Sequence, residues 1–170
     1  MTILTRMLVR GTVVLAAASH KLQALQMRLT AGEIKDGLEH FEPYGFTSHP
    51  LPGAEGIAAF LGGDRSHGIV LTVADRRYRL QALEAGEVAL YTDEGDKVHL
   101  KRGRIIDIET DTLNIKATSA VNFDTPLITQ TGQIVSDGDQ LAAGISQVGH
   151  VHGGVLIGGG QTEPPAGGAP

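Results

Sequence analysis

Two histidines separated by one residue, His150 and His152, are the side chains in this sequence best placed to bind a metal. In an extended segment, side chains two positions apart point to the same side, so both imidazoles can face one ion. Neutral imidazole suits Fe, Zn, Ni or Cu, but two nitrogens are too few for a closed structural site. Three chains with two nitrogens each would supply six, which favours octahedral Fe(II) or Ni(II) over tetrahedral Zn(II). The pair therefore predicts a trimer, the alternative being two surface histidines in a Gly-rich segment.

The chemistry expected at this pair is structural rather than catalytic. A site filled by protein ligands leaves no position open for water or substrate. Asp137 and Asp139 are candidate ligands for a calcium ion, although Asp-Gly-Asp is more typical of a plain turn. The other histidines are scattered, and no Ser/His/Asp grouping can be assembled from the sequence. We therefore predict that the protein is not an enzyme, the alternative being a trimeric β-helical metalloenzyme.

The composition points to narrow β-structure and to assembly. The 170 residues include no cysteine, so disulfides cannot stabilise the fold and oligomerisation is the obvious substitute. An aromatic content of 4% leaves Val, Ile, Leu and Ala to form thin apolar layers. The net charge is −5, and no basic stripe is interleaved with aromatic residues. These features argue against a nucleic-acid partner.

The first half of the chain has the pattern of a small β-domain. Leu25, Met27 and Leu29 alternate with polar residues, which favours a strand, and a helix over residues 22–29 is the competing interpretation. Five short strands separated by Gly and Asp turns predict an OB-fold-like closed barrel over residues 1–85. The predicted strands are residues 11–19, 25–29, 56–61, 67–73 and 77–83.

The second half consists of short alternating segments. Residues 87–91 and 97–101 predict a hairpin. Each later segment is too short to bury its apolar side alone, so three chains must share a core. We predict an intertwined triple-stranded β-helix (β-prism), with an ordinary antiparallel sheet as the alternative. The predicted parts are a shaft over residues 86–140, an apex over 141–158 and a flexible Gly/Pro-rich tail over 159–170.

This order of parts is familiar from one family. Residues 43–48, 52–55, 62–68 and 86–91, together with the His-x-His near a Gly-rich end, resemble the central spike proteins of contractile-tailed bacteriophages. The likeness is to the Mu-like branch of the baseplate assembly protein V family, and it covers most of residues 9–158.

The resemblance implies a homotrimer whose OB-fold base caps the tail tube and contacts the baseplate hub. It also implies that His150 and His152 of three chains hold one iron ion octahedrally at the apex. Such a protein lies at the baseplate tip of the virion and is driven through the host outer membrane, reaching the periplasm, when the sheath contracts. A secretion-system spike that carries effectors shares this architecture and is the alternative function.

Overall fold

In the computed structural model, residues 7–19, 21–154 and 158 are described. The chain divides into two compact units, residues 1–115 and 116–170. The described residues form strands and two short 3-10 turns, so the predicted all-β class is confirmed. Among them, no helix has the length and apolar character needed to cross a lipid bilayer. The strands are β1 (Leu8–Ala17), β2 (Ala24–Arg28), β3 (Ile34–His40), β4 (Glu55–Phe60), β5 (Gly68–Ala74), β6 (Val88–Tyr91), β7 (Lys97–Lys101), β8 (Ile105–Glu109), β9 (Leu141–Ala142) and β10 (Ile145–Ser146).

The first five strands form a closed barrel in the order β1-β2-β3-β5-β4, with β4 pairing back onto β1. All neighbours are antiparallel except β3 and β5, which pair in parallel over two residues. The period-two pattern turns alternate side chains inward, so the core comes from one chain alone. The predicted barrel is therefore confirmed. Its buried apolar residues are Val9, Val13, Leu25, Met27, Leu29, Leu38, Ala54, Ala58, Phe60 and Val70.

The close packing of β1 against β2 requires a glycine. A Cβ on Gly11 would lie 2.6 Å from the carbonyl oxygen of Arg28 and 2.8 Å from Cδ2 of Leu29. A backbone oxygen cannot rotate away, so only a residue without a side chain fits.

One sequence prediction for the barrel was wrong. Residues 77–83 form a turn and an irregular segment rather than the fifth strand. That strand is instead β3, which the sequence analysis missed because only Leu38 and His40 in it are buried. For residues 22–29 the preferred strand interpretation is confirmed over the competing helix, because β2 occupies this region.

The rest of the first unit is a three-stranded antiparallel sheet in the order β6-β7-β8. The predicted hairpin is confirmed, with Tyr91 paired to Lys97 next to the turn. β8 pairs antiparallel with β7 of the same chain. This strand therefore matches the alternative of an ordinary antiparallel sheet rather than the intertwined β-helix.

The second unit buries little of its apolar surface within one chain. The described residues from 116 to 140 form no strand, and β9 and β10 are a two-residue pair. Phe123, Leu127 and Val135 are 68%, 71% and 86% exposed. The triple-stranded shaft over residues 86–140 therefore stays a prediction, and the predicted tail, residues 159–170, lies outside the described residues.

Candidate functional site: an aliphatic sheet face and a histidine pair

One face of the β6-β7-β8 sheet is entirely aliphatic. Cross-strand pairing places Leu100 between Val88 and Ile106, and Val98 between Leu90 and Ile108. Because successive side chains of a strand alternate between faces, these six project from the same side. Exposed fractions run from 44% at Leu100 to 62% at Ile106, with Val98 partly buried. A contiguous apolar surface of this kind marks an interaction site. We call these six residues the aliphatic face.

The opposite side of the same sheet carries charge. Lys97 pairs with Glu109 at 2.6 Å, and Lys101 pairs with Asp107 at 3.0 Å. Exposed ion pairs contribute little to stability, but they show which side of the sheet meets water. The sheet therefore has one charged face suited to solvent and one apolar face suited to burial against a partner.

A buried carboxylate fixes the start of β6. Oxygens of Glu87 accept hydrogen bonds from the backbone N–H groups of Arg102 and Glu84 and from Nε2 of His99, each at 3.0 Å. The Glu87 side chain is only 5% exposed. The bonds from the Arg102 and Glu84 backbone and from His99 lower the pKa of Glu87 below its ordinary value. Glu87 thus ties both ends of the hairpin together directly beside Val88.

The apical histidines lie close to each other within one chain. The ring centroids of His150 and His152 are 5.2 Å apart, and the ring planes are inclined by 81°. Nδ1 of His150 lies 2.8 Å from the backbone oxygen of Ser146. If Nδ1 donates to this carbonyl, Nε2 is free to bind a metal. A histidine that binds a metal usually donates its other ring N–H to such an acceptor.

The turn that carries His150 is held by short polar side chains. The hydroxyl of Ser146 accepts the N–H of Gly149 at 2.7 Å, and Asp139 accepts the N–H of Val148 at 3.2 Å. Hydrogen bonds from Ser146 and Val148 lower the pKa of Asp139. Sequence reasoning named Asp139 as a calcium candidate or part of a plain turn, but it missed Ser146, although a Ser near a glycine is a known turn signal.

The described residues of one chain do not form a complete metal site. The described residues contain no group of three or more His, Cys, Asp or Glu that could hold an ion. If His150 and His152 bind an ion, its remaining ligands come from outside the described residues of this chain. Asp139 already accepts turn hydrogen bonds, which makes calcium at Asp137 and Asp139 the weaker of the two metal predictions.

Comparison with known proteins identifies the family. The family model described as Bacteriophage Mu Gp45, N-terminal, matches residues 10–77, nearly the whole barrel. The Mu-like prophage FluMu protein gp45 of Haemophilus influenzae is 36% identical in an alignment of 155 residues that covers 84% of each chain. This chain belongs to the Mu Gp45 family. The Gp45 relative from Escherichia phage Mu, named baseplate puncturing device gp45, is 40% identical over 129 residues. That match covers 75% of this chain and 65% of the phage Mu protein, so the chain spans just under two thirds of its length.

Membership of the Gp45 family confirms the resemblance found from the sequence. The resemblance was to Mu-like baseplate spike proteins, and the phage Mu member of the family is named a baseplate puncturing device. The family is structural, which confirms the prediction that the protein is not an enzyme.

Proposed function

We propose that this Gp45 protein is a homotrimeric spike at the tip of a contractile phage tail. In this proposal the barrel caps the tail tube and contacts the baseplate hub, and the opposite end pierces the host outer membrane when the sheath contracts. The name of the phage Mu relative supports the puncturing role. The similarity to phage baseplate proteins also favours a phage tail over a secretion system.

The aliphatic face is the observation that supports the trimer. Five of its six side chains are 44–62% exposed in one chain. Burial of an aliphatic side chain is worth about 1.5–3 kcal/mol, so covering the exposed half adds about 1 kcal/mol per residue. Three such faces turned toward a common axis would cover one another and leave the charged faces in water. A different protein with a single flat apolar surface would cover the aliphatic face of only one copy.

The second unit supports an intertwined shaft. Its apolar residues are exposed in one chain, and its segments are too short to form a core of their own. If three chains each contribute a strand, these side chains meet at the axis. Contraction performs the work in this mechanism, while the protein supplies stiffness and a small cross-section.

The apex is proposed to bind one iron ion through His150 and His152 of three chains. The donor set fits, because each chain brings two imidazoles whose ring centroids lie 5.2 Å apart. The bond between Nδ1 of His150 and Ser146 favours the tautomer that presents Nε2. Six protein nitrogens would occupy all the coordination positions of an octahedral ion. The metal would therefore hold the three chains together and leave no position for substrate.

Light scattering and elemental analysis on one purified sample test this proposal. We expect a mass of three chains and one iron ion per three chains. The His150→Ala/His152→Ala variant is the matched comparison, and it should lose the metal while the barrel keeps its circular dichroism. A monomer would overturn the spike, whereas a metal-free wild-type trimer would overturn only the apical site.

A further inference from the structure

An apolar groove lies beside the sheet in the first unit. It is enclosed by the loop after β3, by β5 and by β6, and its volume is about 680 Å³. Phe41, Phe46 and Leu71 form its walls and are 50%, 62% and 48% exposed. Leu90 and Tyr91 of β6 complete the lining. Since the whole chain has only four Phe and three Tyr, this concentration of exposed aromatic surface is unusual.

The loop that forms the groove is held in place before anything binds. The carboxylate of Glu42 accepts the N–H of Ser48 at 2.6 Å and the hydroxyls of Thr47 and Ser48 at 3.0 and 3.2 Å. Partial burial would raise the pKa of Glu42, but these bonds outweigh it and lower the pKa. The N–H of Phe46 also donates to the backbone oxygen of Pro43 at 3.0 Å. A preformed loop costs little to order on binding.

The groove suits an apolar peptide better than a small charged ligand. The oxygens of Glu42 already accept three hydrogen bonds. His40, the one histidine in the lining, is 5% exposed, and burial lowers its pKa. The lining therefore offers an ionic ligand no Lys or Arg and only one carboxylate, whose oxygens are already bonded to their own loop. Exposed aromatic walls, in contrast, are typical of protein contacts.

The edges of the sheet indicate which peptide lies nearby in the proposed trimer. In the described part of the chain, β6 and β8 each pair only with β7, so each leaves one edge open. Both run antiparallel to β7 and hence parallel to each other. In a ring of three sheets with the aliphatic faces inward, the β6 edge of one copy therefore lies beside the β8 edge of the next, and neither edge stays open. Leu90 belongs to both the aliphatic face and the groove, so the groove opens at this junction.

The register identifies the segment. Tyr91, Lys97 and Glu109 form one row across the sheet, so the neighbour's β8 ends level with Tyr91 at the rim of the groove. From Glu109 the chain continues without strand pairing through residues 110–115. In this stretch Leu113 and Ile115 are 59% and 64% exposed and project to the same side if the segment is extended.

We propose that residues 110–115 of one copy bind in the aromatic groove of its neighbour, with Leu113 and Ile115 packed against Phe46. The proposal rests on the trimer of the proposed function and names a contact that would fix how adjacent copies dock. Each of the three grooves would take one segment, so the contacts close into a ring.

Cysteine cross-linking tests this contact cleanly, because the chain has no cysteine of its own. The full-length Phe46→Cys/Leu113→Cys variant is oxidised under native conditions, or treated with a short bis-maleimide, and run on a denaturing gel. We expect covalently linked trimers, since every groove would join two copies. The matched control is Leu61→Cys/Leu113→Cys, which moves the first cysteine to the 54% exposed Leu61 in the turn between β4 and β5. This control should run as monomers.

Light scattering of the unoxidised variant separates the two ways in which the experiment can fail. A trimer in solution that runs as monomers after both treatments would overturn the groove contact and leave the trimer standing. Equal cross-linking of the control would also overturn it, because the reaction would then not depend on the groove. A monomer in solution would overturn the trimer itself, and the groove contact with it.

Discussion

The substitution Ile106→Asn tests the aliphatic face most directly. Ile106 is 62% exposed in one chain, so a polar side chain there would change the stability of an isolated chain by less than about 0.5 kcal/mol. In a trimer with this face inside, each copy would lose about 1–2 kcal/mol of apolar burial. Each would also bury an amide without a partner, at about 1–3 kcal/mol. The three copies together would lose roughly 6–15 kcal/mol, enough to dissociate most assemblies at micromolar concentration.

The neighbouring residue provides the control for this experiment. Ile105 is 51% exposed and adjacent in sequence, but it pairs with Lys101 on the charged face of the sheet. Ile105→Asn makes the same chemical change on the side proposed to face water. Light scattering over a dilution series should show a trimer for Ile105→Asn and monomers for Ile106→Asn, with the circular dichroism of the barrel intact in both. Two equally stable trimers, or two equally disrupted ones, would refute the reasoning.

Three further predictions concern the stability of the first unit. Gly11→Ala should lower the free energy of unfolding of the barrel by about 1–3 kcal/mol through overpacking against the Arg28 carbonyl, and an unchanged urea midpoint would contradict this. Glu87→Ala should speed amide hydrogen exchange in β6 and β7 but not in the barrel, because three donors lose their acceptor, and uniform exchange rates would speak against that role. Burial lowers the pKa of His40 from 6.5, so the unfolded chain takes up this proton first and the barrel should lose stability as pH falls below 6.5. The slope is at most about 1.4 kcal/mol per pH unit, and it should disappear in His40→Gln; an identical slope in that variant would rule out His40 as the cause.

The barrel could be predicted from the sequence where its pattern is regular. In β2, buried Leu25 and Met27 alternate with more exposed residues, and that strand was found within one residue at each end. In β3, Lys35, Asp36 and Gly37 precede the only buried positions, so nothing in the local pattern distinguishes this strand from a loop. The strand forms because β2 and β5 pair with it, which is tertiary information.

The site was predictable in part for the same reason. His150 and His152 were recognisable because their chemistry depends on spacing alone, and their closeness within a chain follows from it. The aliphatic face was less visible, because it depends on the register between three strands rather than on any one of them. The roles of Glu87 and Ser146 depend on backbone donors that only the folded chain brings together.

The self-contained core of the barrel has a consequence for the order of events during synthesis. Among the described residues, the ten buried apolar side chains of the barrel lie between Val9 and Val70, so this part can fold once it leaves the ribosome. In the proposed trimer, the later segments would pack only after two further copies had joined. We therefore expect nascent chains to associate after their barrels have folded, and the later segments to assemble in chain order, from the barrel toward the histidine pair.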